Sequence, residues 1–150
     1  STMINLSAPD LTQHPPRSPR VRLGGYAHLP RLLDKARASL AGTAGEYHYN
    51  CALDQHFFRF TGIDHEAMLA AIKAAPSDTE ALAWVRANTK RLPYEIAAWS
   101  AWLAGHAAGG NDGHSWFAEV ITAAGPDRDD IQTFFDLLEL DDYVSYGGKS

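Results

Sequence analysis

Proline and glycine cut this chain into short pieces, and that punctuation limits it to short helices. Gly42, Gly62, Pro76, Pro93 and Gly125-Pro126 fall where one apolar helical stripe runs out or the next begins. Leu29, Leu32, Leu33, Ala36 and Leu40 form an i, i+3, i+4, i+7 stripe, with Pro30 in a first-turn position and Gly42 as its stop. Leu53, Phe57 and Phe60 mark a helix ended near Gly62. Asp64 can cap one that carries Met68, Leu69 and Ile72 and ends at Pro76. Ser77-Asp78-Thr79-Glu80 is a capping box opening a helix with Leu82 and Val85 inward. Pro93 opens the next, with Ile96, Trp99 and Leu103 on one side. Trp116, Phe117, Val120 and Ile121 suggest another, and Asp127 can cap a last one carrying Ile131, Phe134, Phe135 and Leu138. Only Tyr47 to Cys51 alternates with period two, and briefly. The expected fold is all-α, a compact single domain of about six or seven short helices without internal repeats.

Up to Gly25 the chain reads as an irregular arm. Pro9, Pro15, Pro16 and Pro19 favour extended or turn geometry, while Leu6, Leu11, Val21 and Leu23 anchor the arm to the body. Ser1-Thr2 reads as a tag remnant, leaving 3–150 as one helical domain. "GHAAGGNDG", Gly105 to Gly113, is the clearest internal loop. The tail "DLLELDDYVSYGGKS" is richer than a frayed terminus. Tyr143 and Val144 are expected to dock on the body, bringing Asp141, Asp142 and Ser145 to what they cover.

Charge sets limits on partners. With 13 basic and 18 acidic residues and a net charge of −5, the chain is a poor general binder of nucleic acid. The distribution is uneven: Arg17 to Arg37 carries six cations against Asp34, and Asp127 to Asp142 carries seven acidic residues against Arg128. The two ends can pair, or the arginines can form a local anion site. One cysteine permits no internal disulfide, and no run has membrane-spanning length or looks like a signal peptide, so a cytoplasmic protein is expected.

The densest chemistry lies in "GEYHYNCALDQHFF", Gly45 to Phe58. Alternation would put Tyr47, Tyr49 and Cys51 on one side and His48 and Asn50 on the other, with Asp54 able to cap the following helix and Gln55 and Phe58 on one flank. An imidazole beside a carboxylate and a phenol is the minimum kit for proton transfer. The competing reading is a turn whose polar groups satisfy one another. Cys51 reads as a small buried hydrophobe rather than a nucleophile. The seven histidines show no H-x-H, H-E-x-x-H or Glu-x-x-His spacing, so neither metal nor cofactor is expected. In "RSPRVRLGGYAHLPR", Arg17, Arg20, Arg22 and Arg31 could clamp a carboxylate or phosphate while Gly24-Gly25 lets backbone approach.

The strings "RSPRVRLGGYAHLPRLLDKARASLAGTAGEYHYNCALDQHFF", "WSAW" and "FFDLLELDDYVSYGGK" resemble a family of small bacterial proteins, the domain-of-unknown-function family 5069, from about Leu11 onward. The resemblance implies no activity. It implies that the signature residues lie in the arginine-glycine arm, the histidine-tyrosine stretch and the aspartate-tyrosine tail. The leading expectation is one pocket for a small anionic metabolite, walled by the helix from Pro30, Tyr47 to His56, and the tail. His48 or His56 would act as acid or base, Tyr47 or Tyr49 would give a hydrogen bond, and Asp54 would orient the imidazole. Arg20, Arg22, Arg31, Asn50, Gln55 and Tyr143 would bind substrate. The reading requires His48, Asn50, Asp54 and Arg22 to converge on one cavity. The rival is a non-catalytic interaction protein, a homodimer among its options, whose polar clusters are internal locks and whose tryptophans serve core and partner contacts.

Overall fold

The structure is a computed structural model that describes residues 5–107, 119, 122–123 and 127–150. The expected Gly105–Gly113 loop lies mostly outside these residues, as do Trp116, Phe117, Val120 and Ile121 and the helix expected there. Among the described residues the protein is mostly helical: α1 (Leu29–Ala41), α2 (Ala52–Thr61), α3 (His65–Ala74), α4 (Asp78–Ala87), α5 (Pro93–Ala104) and α6 (Phe134–Ser145). None is long and apolar enough to cross a membrane.

The helix ends follow local chemistry. Asp64 accepts from Ala67 N and Ser77 Oγ from Glu80 N, each satisfying a first-turn donor. Gly42 and Gly62 end α1 and α2 in the left-handed conformation, which costs a glycine little. The last helix starts later than Asp127 suggests. Thr133 caps it, its hydroxyl accepting from Asp136 N while the Asp136 carboxylate accepts from Thr133 N.

Two features of the arm and tail depart from expectation. Arg22–Leu23 (β1) and Tyr26–Ala27 (β2) form a two-stranded antiparallel hairpin, with Gly24 and Gly25 at φ 59 and 86 as its turn. Two-residue strands are too short to alternate, although a glycine pair is itself a signal for this turn. The tail is helical through Ser145, so Phe135 and Asp142 face inward while Tyr143, 61% exposed, and Val144 face out. Tyr146 docks instead, its hydroxyl donating to Leu11 O. In the arm Leu11 is buried, whereas Leu6 and Val21 are exposed.

The core gathers around α1, buried without a break from Leu29 to Ala38. Leu29, Leu32, Leu33 and Ala36 meet Phe57, Met68, Val85, Leu103 and Phe135, and each fully buried leucine-sized side chain contributes about 2 kcal/mol. A helix enclosed on all sides has nowhere to expose its charges. Each of the four therefore reaches a different element: Arg31 to Asp142 on α6, Asp34 to Arg17 of the arm, Lys35 to Asp54 on α2, and Arg37 to Asp78 on α4. Ser100 of α5 pins the hairpin, accepting from Ala27 N and donating to Gly25 O.

Candidate functional site

His28 immediately precedes α1 in a left-handed conformation, φ 70, unusual for a residue other than glycine. Its ring is buried, stacks on Phe135 and places Nε2 2.6 Å from Asp54 Oδ1. Lys35, two turns along α1, donates to both Asp54 oxygens at 2.9 Å. The same ammonium lies 3.2 Å from Cys51 Sγ, and Cys51 N donates to Asp54 Oδ2.

Burial alone would raise the Asp54 carboxyl, but the Lys35 charge and the His28 hydrogen bond outweigh it and hold the group well below the usual range. Burial pushes His28 down against the pull of Asp54, so the ring is neutral near pH 7. Beside an ionised carboxylate, the neutral ring carries its proton on Nε2 and donates it to Asp54. Nδ1 is left buried without a partner.

On the solvent side of Lys35 opens a cavity of about 330 Å³. Arg31 and Lys35 of α1 line it, with Glu46, Tyr47, His48 and Cys51 of the connection, His56 of α2, His106 just past α5, and Asp141 of α6. Ala52, Leu53, Phe134 and Leu138 make much of the remaining wall apolar. His56 stands edge-on to Trp102 and to His106, ring centroids 5.2 Å apart in both cases. Tyr47 donates to Asp142 Oδ1 at 2.9 Å and lies under the Arg31 guanidinium, which forks onto Asp142 at 2.7 and 3.0 Å. Burial, then the Asp142 charge, raises the Tyr47 phenol. Burial and Asp142 also raise the Asp141 carboxyl at the cavity rim, against the pull of Arg31. The cavity thus joins imidazoles to a carboxyl shifted upward, a combination suited to acid–base work.

Of the residues expected at one site, Tyr47, His48, His56 and Arg31 line this cavity, and the others stand elsewhere. Asp54 lies behind the wall, orienting His28 and Lys35 rather than His48 or His56. Tyr49 turns away and donates to His65 O at 2.7 Å. Asn50 adopts φ 64, so the Tyr47–Cys51 alternation breaks into a turn, and Gln55 donates to Asn50 O. Arg20 pairs with Asp136 and Glu139. Arg22 opens on a separate cleft, and Tyr143 faces solvent. Of His48, Asn50, Asp54 and Arg22, only His48 reaches the cavity, so the convergence required of the expected site is not met and any reading of the cavity rests on a different set, His48, His56, His106 and Asp141.

His28, His106 and Asp141 were not assigned roles from the sequence. Their signals were weak: a histidine before a Leu-Pro helix start, another beside a glycine loop, and one aspartate among many. Cys51, read as core filling, is a half-buried cavity residue bonded to Lys35. Among the described residues, no three histidine, cysteine or acidic side chains are placed to hold a metal ion.

Fold and site together define a small, mostly helical domain with a charge-tied central helix and a cavity walled by ionisable side chains. The chain belongs to the domain-of-unknown-function family DUF5069, whose profile matches residues 13–144. Comparison with curated proteins finds no significant match.

Proposed function

We propose that the protein binds a small anionic metabolite in the α1–α2–α6 cavity and carries out cofactor-independent proton transfer on it, of isomerase, lyase or hydrolase type. The observation that carries this reading is the meeting of His48, His56 and Asp141 on one cavity of about 330 Å³. The apolar side formed by Leu53, Phe134 and Leu138 would hold the body of the ligand. Lys35 and Arg31, although paired with Asp54 and Asp142, would turn their remaining N–H donors to its anionic end from the α1 side, and Tyr47 would give a hydrogen bond. His56 or His48 would take or return the proton, with Asp141 as the opposing acid. A cytoplasmic setting, where such metabolites are found, goes with this reading.

A thermal-shift screen of carboxylate- and phosphate-bearing metabolites tests this. The expected result is a ligand that raises the melting temperature of the natural chain and loses that effect in His48→Ala and His56→Ala, both of which stay folded. A ligand response unaltered by both substitutions would remove the cavity from the function.

A second reading has its own observation. All four charges of α1 are already paired inside the fold, as expected of an interaction protein whose polar clusters are locks. Collapse of the fold in both histidine variants would favour it.

A further inference from the structure

On another face of the molecule the hairpin turn, the end of α4 and the start of α5 enclose a second cleft, about 390 Å³ in volume. Arg22, Arg86 and Arg91 line it, and no aspartate or glutamate does among the described residues. Most other arginines of this chain sit on carboxylates: Arg17, Arg20, Arg31, Arg37 and Arg128 each have one. Arg22 and Arg86 have none among the described residues. Arg91 is held in place, its Nε donating to Phe60 O, its Nη1 to Glu95 at 3.2 Å, and its guanidinium 4.6 Å over the Phe60 ring. The adjoining surface adds Arg59 and Lys90, again with no acid in its lining. In a chain of net charge −5, Arg22 and Arg86, without a carboxylate among the described residues, thus stand on one face beside the Glu95-paired Arg91.

Tyr26 lies in this wall and is 0% exposed, yet its hydroxyl has no hydrogen-bond partner. The buried Thr89 hydroxyl lies beside it, close enough to offset part of the rise that burial gives the Tyr26 phenol, and neither has a further partner, so the pair can satisfy at most one of its two donors. A buried hydroxyl donor left over is rare in folded proteins, and one in a cationic cleft points to a missing acceptor. The turn at the edge of the cleft, Gly24-Gly25, is fixed as glycine: at φ 59 and 86 few other residues would take these places, and a Cβ at Gly24 would strike the Leu82 side chain.

We propose that this cleft binds a phosphate-bearing small molecule. Arg22, Arg86 and Arg91 would meet the phosphoryl oxygens, and the Tyr26 and Thr89 hydroxyls would donate to the oxygen that enters deepest. Three guanidiniums and two hydroxyls offer more donors than the two oxygens of a carboxylate can accept, whereas a tetrahedral dianion can use them. The enclosed shape and the acidic remainder of the chain favour a small molecule over a polyanion.

The test is calorimetric titration of the intact chain with inorganic phosphate and pyrophosphate, with acetate and chloride as controls at matched ionic strength. Saturable binding is expected for phosphate, tighter for pyrophosphate, and absent for the controls. Arg22→Gln and Arg86→Gln change exposed residues, so the variants keep their fold, and each should weaken pyrophosphate binding by about tenfold. Tyr26→Phe should weaken it by about threefold to tenfold without loss of fold. Affinity unchanged in the Arg22→Gln/Arg86→Gln double variant would overturn the proposal, as would an equal response to acetate. A short RNA that binds while pyrophosphate does not would overturn it in favour of a polyanion surface.

Discussion

Asp54 and His56 stand two residues apart on α2 and have opposite surroundings. Asp54 faces inward, fully buried, each oxygen held by Lys35, His28 or the Cys51 amide. His56 faces the cavity over Trp102 and His106. The sequence offers both as members of one catalytic kit. The structure separates them, because a carboxylate enclosed by fixed donors has no capacity left for a substrate, whereas His56, which also meets Arg59, borders a cavity. Burial with full pairing marks the locks of this protein, and adjacency to space marks the groups that the proposed chemistry would use.

The strongest test of that division is Asp54→Ala, which leaves the Lys35 ammonium buried without its counter-ion. A cost of about 3–5 kcal/mol is expected, a large fraction of the ~5–15 kcal/mol available to a domain. His56→Ala should cost about 1 kcal/mol. Urea denaturation of both variants decides it, and equal costs would erase the distinction between inner and outer faces.

The Arg31–Asp142 fork is intermediate, since it is nearly closed but forms part of the cavity wall. Arg31→Leu should cost about 3 kcal/mol by stranding Asp142, and adding Asp142→Leu should recover most of it, because an apolar pair of similar volume replaces a buried ion pair well. A double variant no more stable than Arg31→Leu alone would show that the pair, rather than its desolvation, holds α6 in place.

Acid separates the locks from one another. His28 sits below its ordinary value in the fold because burial disfavours its charged form, so the unfolded chain binds the extra proton. Its contribution is complete above the unfolded value, about 6.5, and is lost as pH falls through the folded value. The Asp54 carboxyl is also depressed, so its contribution is complete above about 3.9 and lost only in stronger acid. Stability measured against pH should decline in two steps. His28→Asn, which tolerates the left-handed backbone, should abolish the upper one. An upper step that survives the substitution would assign it to the cavity histidines instead.

Helix positions were legible in this sequence because proline, glycine and capping residues act locally: Pro93, Gly42 and Ser77-Glu80 mark ends without reference to the rest of the chain. The charge asymmetry left pairing of the two ends and a local anion site both open, and Arg20 and Arg31 make the pairing with α6. It did not say which arginine takes which acid. Arg31 finds Asp142 across 111 positions, Arg17 turns to Asp34 and Asp78, and Arg22 finds no acid among the described residues, outcomes set by which side of α1 each element covers. The two-residue strands were too short to show a period. Tyr143 was misplaced because α6 continues through it, and helical spacing then turns it outward while Asp142 turns in.

The smallest expected effects distinguish two neighbours that sequence alone treats alike. Tyr47 and Tyr49 are two apart, both half-buried, and each makes one hydrogen bond, to Asp142 and to His65 O. Tyr47→Phe and Tyr49→Phe should each cost about 1 kcal/mol, the net worth of one such bond. Their consequences for ligand binding should differ. Tyr47 lines the cavity and bonds to the carboxylate beside Asp141, so its loss should reduce the thermal shift given by a cavity ligand and alter its pH dependence. Tyr49 ties the turn to the start of α3 on the far side, so its loss should leave that shift unchanged. Equal effects of the two substitutions on ligand binding would mean that the turn moves as one unit, and the cavity wall would then have to be drawn around Tyr49 as well.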